Sequence, residues 1–375
     1  MRTQRTFLLL YISIITFGLV LNLKHSLFHS KTLIPSLLIP RASAFVPTLV
    51  TPKMMDPDLS KSWLLRSNSA IGIHEAWKLS QGDKRIVVAI IDTGVDLNHS
   101  DLKENFWHNP KEIPNNGLDD DHNGLIDDIL GWDFVHNTAT PYDEHGHGTH
   151  VTGIIGAVKG NGIGISGICP YVSLMILKYY APNSSGRKNL ENTVRAFQYA
   201  IDNGAHIINY SGGGAEYSKE EHDMIVKAQE KGILVVAAAG NEKNNADEIA
   251  YYPASYDLDN IISVAALQKD GTLVHSSNFG VTRIDVAAPG YQIYSTLPNN
   301  QYGMMTGTSQ ATAVVTGIAA LTLSKYGKLP ATKIKELILA SVNPMLSLKA
   351  KIKSGGSVNA LTSLERADHE TKNTF

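Results

Sequence analysis

Three short stretches of the chain contain the residue types that nucleophilic catalysis requires. Ser309 lies in Gly-Thr-Ser-Gln-Ala-Thr (307–312), His147 lies in His-Gly-His-Gly-Thr-His (145–150), and Asp92 follows an apolar run. A serine hydroxyl is a weak nucleophile unless a neighbouring base accepts its proton and a third group orients that base. An imidazole exchanges protons near neutral pH, and a carboxylate can accept a hydrogen bond from its other ring nitrogen. The three residues therefore predict acyl transfer through a serine nucleophile, if the fold brings them together.

The order of these residues along the chain separates two kinds of fold. In an α/β-hydrolase, the acid and the histidine follow the serine. Downstream of Ser309 the sequence contains one histidine, His369, within the polar tail that we predict for residues 368–375. The order Asp92, His147, Ser309 is instead the order found in subtilisin. The order therefore disfavours the hydrolase fold.

The sequence around each residue resembles a catalytic block of the subtilisin-like serine peptidases, or subtilases. The blocks read VVAIIDTGVD (87–96), GHGTHVTG (146–153) and GTSQATAVVTG (307–317), and the resemblance covers residues 63–365. It implies a serine endopeptidase that hydrolyses peptide bonds through an acyl-enzyme. Its partner would be a polypeptide substrate, bound as an extended strand.

The resemblance also implies roles for other residues. Asn241 matches the asparagine that donates a hydrogen bond to the oxyanion, together with the backbone N–H of Ser309.

The pocket for the residue before the scissile bond would be walled by Ser211, Gly212 and Gly213 on one side and Ala238, Ala239 and Gly240 on the other. The family usually has leucine where Gly212 stands, so we expect one wall to be more open. Tyr251 lies near the expected floor and predicts a shallow pocket, and Tyr252-Pro253 matches a cis-proline turn.

One departure from the family pattern lies beside the nucleophile. The usual motif reads G-T-S-M-A-T-P-H-V-A-G, but this chain has Gln310, Ala313, Val314 and Thr316 in place of Met, Pro, His and Ala. None of these four residues belongs to the predicted triad. The departure nevertheless keeps open a second hypothesis, a catalytically silent peptide-binding module on a peptidase fold.

The histidines of the second block support a third hypothesis. His145, His147 and His150 form an H-x-H-x-x-H pattern, and imidazole is a favoured zinc ligand. These residues could therefore hold zinc in a metal-dependent hydrolase. That interpretation uses His147 as a ligand and leaves Ser309 and Asn241 without a task, so the serine peptidase remains the leading hypothesis.

The stretch NNGLDDDHNGLIDDILG (115–131) places many carboxylates close together. Oxygen-bearing side chains at alternate positions before Gly124 resemble the first half of an EF-hand loop, although no Glu stands at the twelfth position. Crowded carboxylates repel one another unless a cation neutralises them, so we predict structural Ca²⁺ and no organic cofactor; the alternative is a solvated acidic turn. The predicted ligands are Asp119, Asp121, Asn123, Asp127 and Asp128.

Apolar runs and helical stretches alternate along the chain, and they predict the fold that must position these residues. Runs typical of strands buried on both faces occupy residues 85–91, 172–177, 206–209, 233–238 and 261–265. Helices are predicted at 70–79, 151–158, 190–203, 220–231 and 330–341, and after Ser309. The alternation predicts an α/β fold with a three-layer, mainly parallel twisted sheet and helices on both faces, like that of subtilisin. Asp92 and Asn241 each follow a strand, where such sheets bind ligands.

Composition excludes some partners and one source of stability. The formal net charge of -2 at pH 7 leaves no basic surface, so we expect neither nucleic acid nor an anionic surface as a partner. The single Cys169 cannot form an internal disulfide, so stability must come from the core, with bound ions as a further source. At 375 residues the chain can bury a large core, and we expect a monomer.

The amino-terminal residues differ in composition from the rest of the chain. No Asp or Glu occurs among the first 55 residues, and basic residues precede an apolar run from Phe7 to Leu23. This pattern is typical of a secretory signal or a membrane anchor, with an organellar transit peptide as an alternative. We predict a leader at 1–23, a linker or short pro-segment at 24–62 and the peptidase domain at 63–367. The protein would be secreted or extracytoplasmic, either free or anchored through its apolar run.

Overall fold

The computed structural model describes residues 55–66, 69, 71–327 and 329–372. The predicted leader and most of the predicted linker lie outside the described residues. Within the described part of the chain, no helix combines the length and the apolar character needed to cross a membrane.

Helices and strands alternate along most of the described chain, as the sequence predicts. The α-helices are α1 (Ile73–Leu79), α2 (His147–Gly156), α3 (Gly186–Asp202), α4 (Lys219–Glu230), α5 (Thr308–Tyr326), α6 (Ala331–Ala340) and α7 (Ala360–Lys372). The strands are β1 (Gly82–Asp92), β2 (Gly131–Asp133), β3 (Tyr171–Lys178), β4 (Ile207–Tyr210), β5 (Leu234–Ala238), β6 (Ile261–Leu267), β7 (Val286–Pro289), β8 (Ile293–Leu297), β9 (Gln301–Met305), β10 (Asn343–Pro344) and β11 (Gly356–Ser357). Short 3₁₀ helices span Leu59–Lys61, Trp63–Leu65 and Lys103–Asn105.

In the described chain, nine strands form one sheet in the order β10-β11-β7-β6-β5-β4-β1-β3-β2. Neighbouring strands pair in parallel except β10 and β11, which pair antiparallel. Successive residues of a strand point to opposite faces. Accordingly, Val88 and Ile90 of β1 belong to one buried core, and Ala89 and Ile91 belong to another. The sheet is covered on both faces, which confirms the predicted three-layer α/β class.

Helix α5 is buried along most of its length. Every residue from Thr308 to Leu323 is buried, and its apolar side chains share a core with β1, β4, β5, β6 and β7. Most residues of this buried stretch are Ala, Val, Thr or Ile. Because these side chains are short, the helix can approach the sheet closely. This packing holds the amino end of α5 in a fixed position relative to the strands.

The structure differs from the predicted elements at several boundaries. All five predicted strands are present, as β1, β3, β4, β5 and β6, but β2, β7, β10, β11 and the antiparallel pair β8–β9 were not predicted. Helix α2 begins at His147, whereas the apolar pattern predicted a start at Val151. Helix α7 continues to Lys372, so part of the predicted polar tail is helical.

Residues before the predicted domain boundary also pack on the domain. Asp56 is 3% exposed, and both of its carboxylate oxygens accept a hydrogen bond from the backbone N–H of Gly160 at 2.9 Å. The hydroxyl of Ser166 donates to the same carboxylate at 2.6 Å. Asp56 therefore attaches the amino-terminal segment to a loop that follows α2.

Candidate active site

Asp92 and Ser309 lie at the same edge of the sheet. Asp92 is the last residue of β1, and Ser211 follows the neighbouring strand β4, in which Tyr210 pairs with Ile91. Ser309 is the second residue of α5, and its hydroxyl donates a hydrogen bond to the carbonyl of Ser211 at 3.1 Å. Paired strands lie about 4.8 Å apart. The contact therefore brings Ser309 close to the carboxyl end of β1.

His147 is hydrogen-bonded to Asp92. It begins α2, and its Nδ1 lies 2.7 Å from Oδ1 of Asp92. An ionised carboxylate only accepts hydrogen bonds, so Nδ1 carries the proton and Nε2 is the basic nitrogen. Burial alone would lower the pKa of the imidazole, but the charge of Asp92 and this hydrogen bond outweigh it. The pKa of His147 therefore lies above its ordinary value.

Asp143 connects the two elements that carry this pair. It is 1% exposed, and its carboxylate accepts hydrogen bonds from the hydroxyl of Thr93 at 2.9 Å and from the backbone N–H groups of residues 145–146 at 2.9 and 2.8 Å. It also accepts from the backbone and the hydroxyl of Thr149, at 2.9 and 2.6 Å. A carboxylate at a helix amino terminus is favoured by the helix dipole. Because Thr93 directly follows β1, Asp143 fixes the start of α2 relative to the end of that strand.

Asn241 contacts the start of α5 from the loop after β5. Its Oδ1 accepts a hydrogen bond from the backbone N–H of Thr308 at 3.0 Å. An N–H group needs an acceptor, so this contact identifies the amide oxygen and leaves Nδ2 as a donor. The backbone N–H of Ser309 belongs to the first turn of α5, where N–H groups have no partner within the helix. The first turn and the Asn241 amide thus offer two neighbouring donors.

The predicted pocket walls both reach the start of α5. One follows β4 and consists of Ser211, Gly212 and Gly213, and the other closes β5 and consists of Ala238, Ala239 and Gly240. A Cβ atom on Gly212 would lie 2.0 Å from the hydroxyl oxygen of Tyr179 and 2.9 Å from the ring of Tyr210. Tyr179 thus fills the space that a side chain at Gly212 would take, so the prediction of a more open wall is wrong. Tyr251 contacts both walls, and the bond between Tyr252 and Pro253 is cis, as expected.

The histidine cluster does not have the geometry of a metal site. His150 is buried, and its Nε2 lies 3.0 Å from the carbonyl of Ile293 and 3.3 Å from that of Gly303. Two carbonyl acceptors require Nε2 to donate, so this nitrogen is not a metal ligand, and Nδ1 is buried without a hydrogen-bond partner among the described residues. Burial lowers the pKa of His150 to about 4. Among the described residues, the carboxylates and imidazoles close enough to share an ion do not include these histidines. The zinc hypothesis therefore has no structural support.

The acidic loop brings two predicted calcium ligands together and adds a third residue. Carboxylate oxygens of Glu112, Asp119 and Asp121 lie within 4.8 Å of one another. Glu112 is 7% exposed, and its Oε1 accepts from the backbone N–H groups of residues 120–121 at 2.9 and 3.1 Å. Its Oε2 is buried and has no hydrogen-bond partner among the described residues. Burial raises the pKa of Glu112, which means that its environment disfavours the uncompensated charge.

The other predicted calcium ligands lie outside this carboxylate cluster and, like Asp119 and Asp121, have partners within the protein. The Asp127 carboxylate accepts from the backbone N–H groups of residues 116–117 at 3.2 and 3.0 Å. Asp128 is buried, and its Oδ2 accepts from the hydroxyl of Tyr199 at 2.5 Å and from the amide of Asn123 at 3.0 Å. A role as calcium ligand stays a prediction for all five residues.

Comparisons with known proteins identify the family. A model of the subtilase family matches residues 83–368. The chain belongs to the subtilase family of serine peptidases. Over 288 residues it is 37% identical to subtilisin-like protease 1 of Plasmodium falciparum, in an alignment that covers 72% of this chain and 42% of that protein. Over 250 residues it is 38% identical to a thermophilic serine proteinase of Bacillus sp. strain AK1, covering 67% of this chain and 55% of that protein.

A solved structure supports the fold independently. A protease from Pseudoalteromonas arctica superposes with a TM-score of 0.69 at 23% identity, and the match covers 84% of this subtilase and 100% of that chain. The subtilase described here spans about half the length of the curated relatives it matches. The region matched by the family model, residues 83–368, contains all residues of the site described above.

Three residues of the site, Asp143, Glu112 and Tyr179, were not found from the sequence. Glu112 lies before the acidic stretch and outside any spaced motif, and only the folded loop brings it to Asp119 and Asp121. Tyr179 acquires its role because Gly212 lacks a side chain. The one sequence signal for this role is Gly212 itself. Glycine stands there where the family usually has leucine, so a large residue from elsewhere in the chain can fill the space of the leucine side chain.

Proposed function

We propose that this subtilase is a serine endopeptidase in which Ser309, His147 and Asp92 form a catalytic triad. The observation that carries the proposal is the 2.7 Å hydrogen bond between His147 Nδ1 and Asp92 Oδ1, at the sheet edge where α5 begins. This bond makes Nε2 of His147 the basic nitrogen. The raised pKa of His147 makes it a stronger base toward the serine hydroxyl.

The reaction would proceed through an acyl-enzyme. The Ser309 hydroxyl turns away from the carbonyl of Ser211, gives its proton to Nε2 of His147 and attacks the carbonyl carbon of the peptide. The imidazolium, stabilised by Asp92, then gives that proton to the leaving amine, and the acyl group remains as an ester on Ser309. Water attacks the ester and passes a proton through His147 to the serine oxygen, which releases the carboxylic acid.

Two donors would stabilise the oxyanion of each tetrahedral intermediate. The amide Nδ2 of Asn241 is one, because its Oδ1 is engaged by the backbone of Thr308. The backbone N–H of Ser309 is the other. Preset donors of this kind lower the barrier because they need no reorganisation when the charge develops.

The substrate would be a polypeptide in an extended conformation. The segments 211–213 and 238–240 lead away from the nucleophile, and their backbone groups can pair with an added strand. The proposal includes an extracytoplasmic location, which the basic and apolar composition of residues 2–23 supports.

Structural calcium belongs to the same proposal, with Glu112 joining Asp119 and Asp121 as ligands. Three carboxylates within 4.8 Å suit a cation that binds through oxygen. The buried Oε2 of Glu112, which has no hydrogen-bond partner among the described residues, fits a ligand atom. Bound Ca²⁺ would neutralise the loop and stabilise the fold.

Covalent labelling of Ser309 tests the catalytic proposal. A fluorophosphonate should label folded, fully processed protein at Ser309, and Ser309→Ala should remain unlabelled because the nucleophile is absent. Peptidase activity of Ser309→Ala should fall by about 10⁶-fold, the size of the effect in the related subtilisin. Ser324→Ala, on the same helix, is the control and should keep both labelling and activity. Folded protein that binds peptides but cannot be labelled would instead support the silent binding module.

A further inference from the structure

The cleft beside Ser309 is bounded by two backbone segments. The Ser309 hydroxyl contacts the carbonyl of Ser211, and the Asn241 side chain contacts the backbone of Thr308. The resemblance to subtilases implies that the side chain of the residue before the scissile bond enters between these two segments. Whatever occupies that space limits which side chains fit.

The ring of Tyr251 bridges the two segments. A Cβ atom on Gly213 would lie 2.6 Å from its Cε1, and a Cβ atom on Gly240 would lie 2.9 Å from its Cδ2. Cε1 and Cδ2 are opposite corners of a phenol ring, so the ring reaches from one wall to the other. Both glycines also have a positive φ, +153° and +97°, which disfavours any larger residue there. The close approach of the ring thus depends on glycine in both walls.

Backbone contacts hold Tyr251 in this position. The next residue, Tyr252, exchanges two hydrogen bonds with Gly214, at 2.7 and 2.9 Å, and so pairs with the wall segment itself. The backbone N–H of Tyr251 donates to the hydroxyl of Ser255 at 3.1 Å. The ring therefore cannot leave the cleft by a simple shift of its backbone.

A cavity of ≈ 200 Å³ lies beyond the ring. Its lining includes Gly213, Gly214, Tyr251, Glu242 and Asn278, but not Ser211 or Ser309. Tyr251 is thus shared by the lining of this cavity and by the space between the two segments. Removal of the ring would join the two spaces and admit a large side chain.

We infer that Tyr251 limits the residue before the scissile bond to a small side chain, so that the substrates are peptides with Gly, Ala or Ser at this position. This inference rests on the proposed peptidase function. A large aromatic or branched side chain would collide with a ring that is held from both walls, and overlap of this kind is costly because the packing cannot relax.

Peptide substrates that differ only at this position test the inference. We expect kcat/KM of the full-length protein to be at least tenfold higher for Ala than for Phe. Tyr251→Gly should reverse this order, because it joins the cavity to the cleft, and Tyr251→Phe should keep the ratio because it retains the ring. Tyr251→Ala serves as a second opening variant if Tyr251→Gly does not fold.

Fluorophosphonate titration of each variant distinguishes a failure of this inference from a failure of the proposed peptidase function. Full labelling of Ser309 with equal or higher kcat/KM for Phe in the unaltered protein would overturn the inference and leave the peptidase function standing. An unchanged ratio in labelled Tyr251→Gly or Tyr251→Ala would overturn it as well. Absence of labelling in the unaltered protein would instead refute the proposed function.

Discussion

Asp143 and Glu112 both have buried carboxylates, but the two carboxylates differ in how many hydrogen bonds the protein donates to them. At the sheet edge, the Asp143 carboxylate accepts five hydrogen bonds from groups of the protein. In the acidic loop, one oxygen of Glu112 accepts two backbone hydrogen bonds and the other is buried without a partner among the described residues. Internal donors stabilise the first charge as soon as the chain folds. The second charge lacks such internal compensation, which supports the proposed cation site.

The difference shows how a site held by internal hydrogen bonds and a loop with a proposed ion site can occur in one domain. Hydrogen bonds to a buried carboxylate contribute about 1.5–3 kcal/mol each when they are well formed, so the Asp143 network holds α2 against β1 without any ligand. A loop that depends on a bound ion gains its stability by mass action, and it loses that stability when the ion is removed. The two regions should therefore respond differently to substitution and to chelation.

Among the variants that test this comparison, Asp92→Asn should have the largest effect, because it removes the hydrogen-bond acceptor of His147 at the sheet edge. Loss of the carboxylate removes the acceptor that orients the imidazole, and we expect kcat to fall by about 10⁴-fold. The acid limb of the kcat/KM profile reports the pKa of His147, because only the neutral imidazole can accept the proton. Asp92 raises that pKa, so the limb should lie above pH ~6.5 in the unaltered protein and move to lower pH in the variant. A limb that does not move would contradict the assigned base.

A smaller effect should follow from Asp143→Asn, which weakens the hydrogen bonds between the end of β1 and the start of α2 but leaves the three triad residues in place. The amide cannot accept all five hydrogen bonds, so α2 should shift relative to β1 and kcat should fall by up to about 10²-fold with little change in KM. Asp247→Asn is the matched control, because the Asp247 carboxylate also accepts several hydrogen bonds, in its case from residues 281–283. The control should lose stability and keep kcat, and an equal loss of kcat in both variants would argue against a positioning role for Asp143.

The smallest effect on activity should follow from Glu112→Gln, which tests the acidic loop. Adding Ca²⁺ at a hundredfold excess over its dissociation constant should raise the free energy of unfolding of the unaltered protein by about 2.7 kcal/mol. Glu112→Gln should lose most of this gain, while kcat at low temperature stays unchanged. Asp120→Asn, in the same loop but outside the carboxylate cluster, should keep it. Thermal unfolding with and without a chelator measures the difference, and equal calcium responses in both variants would contradict the proposed ligands.

Much of the fold could be predicted because the central strands are continuous Val, Ile and Ala runs buried on both faces. The pair β8–β9 was missed because its strands mix Tyr, Thr, Gly, Gln and Met, and β9 is partly exposed, so no apolar run marks it. The start of α2 was missed because His147 and Gly148 carry no helical pattern. Their helical conformation depends on the contacts of Asp143, which is a tertiary effect.

The candidate site likewise contains some residues that could be predicted from the sequence and others that could not. Asp92, His147, Asn241 and Ser309 could be named because each lies beside a strand end or at a helix start within a recognisable block. Glu112 could not, because its role depends on how a loop folds back on itself. Tyr179 could not be named either, because it fills the space beside Gly212 through tertiary packing, which its neighbours in the sequence do not indicate.

The attachment of Asp56 has a consequence for maturation. Trimming that removed this residue would leave the N–H of Gly160 and the hydroxyl of Ser166 without their acceptor, and an orphaned buried donor costs about 1–3 kcal/mol. We therefore expect a chain cut after Asp56 to unfold more readily than one that keeps this residue, so the hydrogen bonds of Asp56 limit how far the amino terminus can be trimmed without loss of stability.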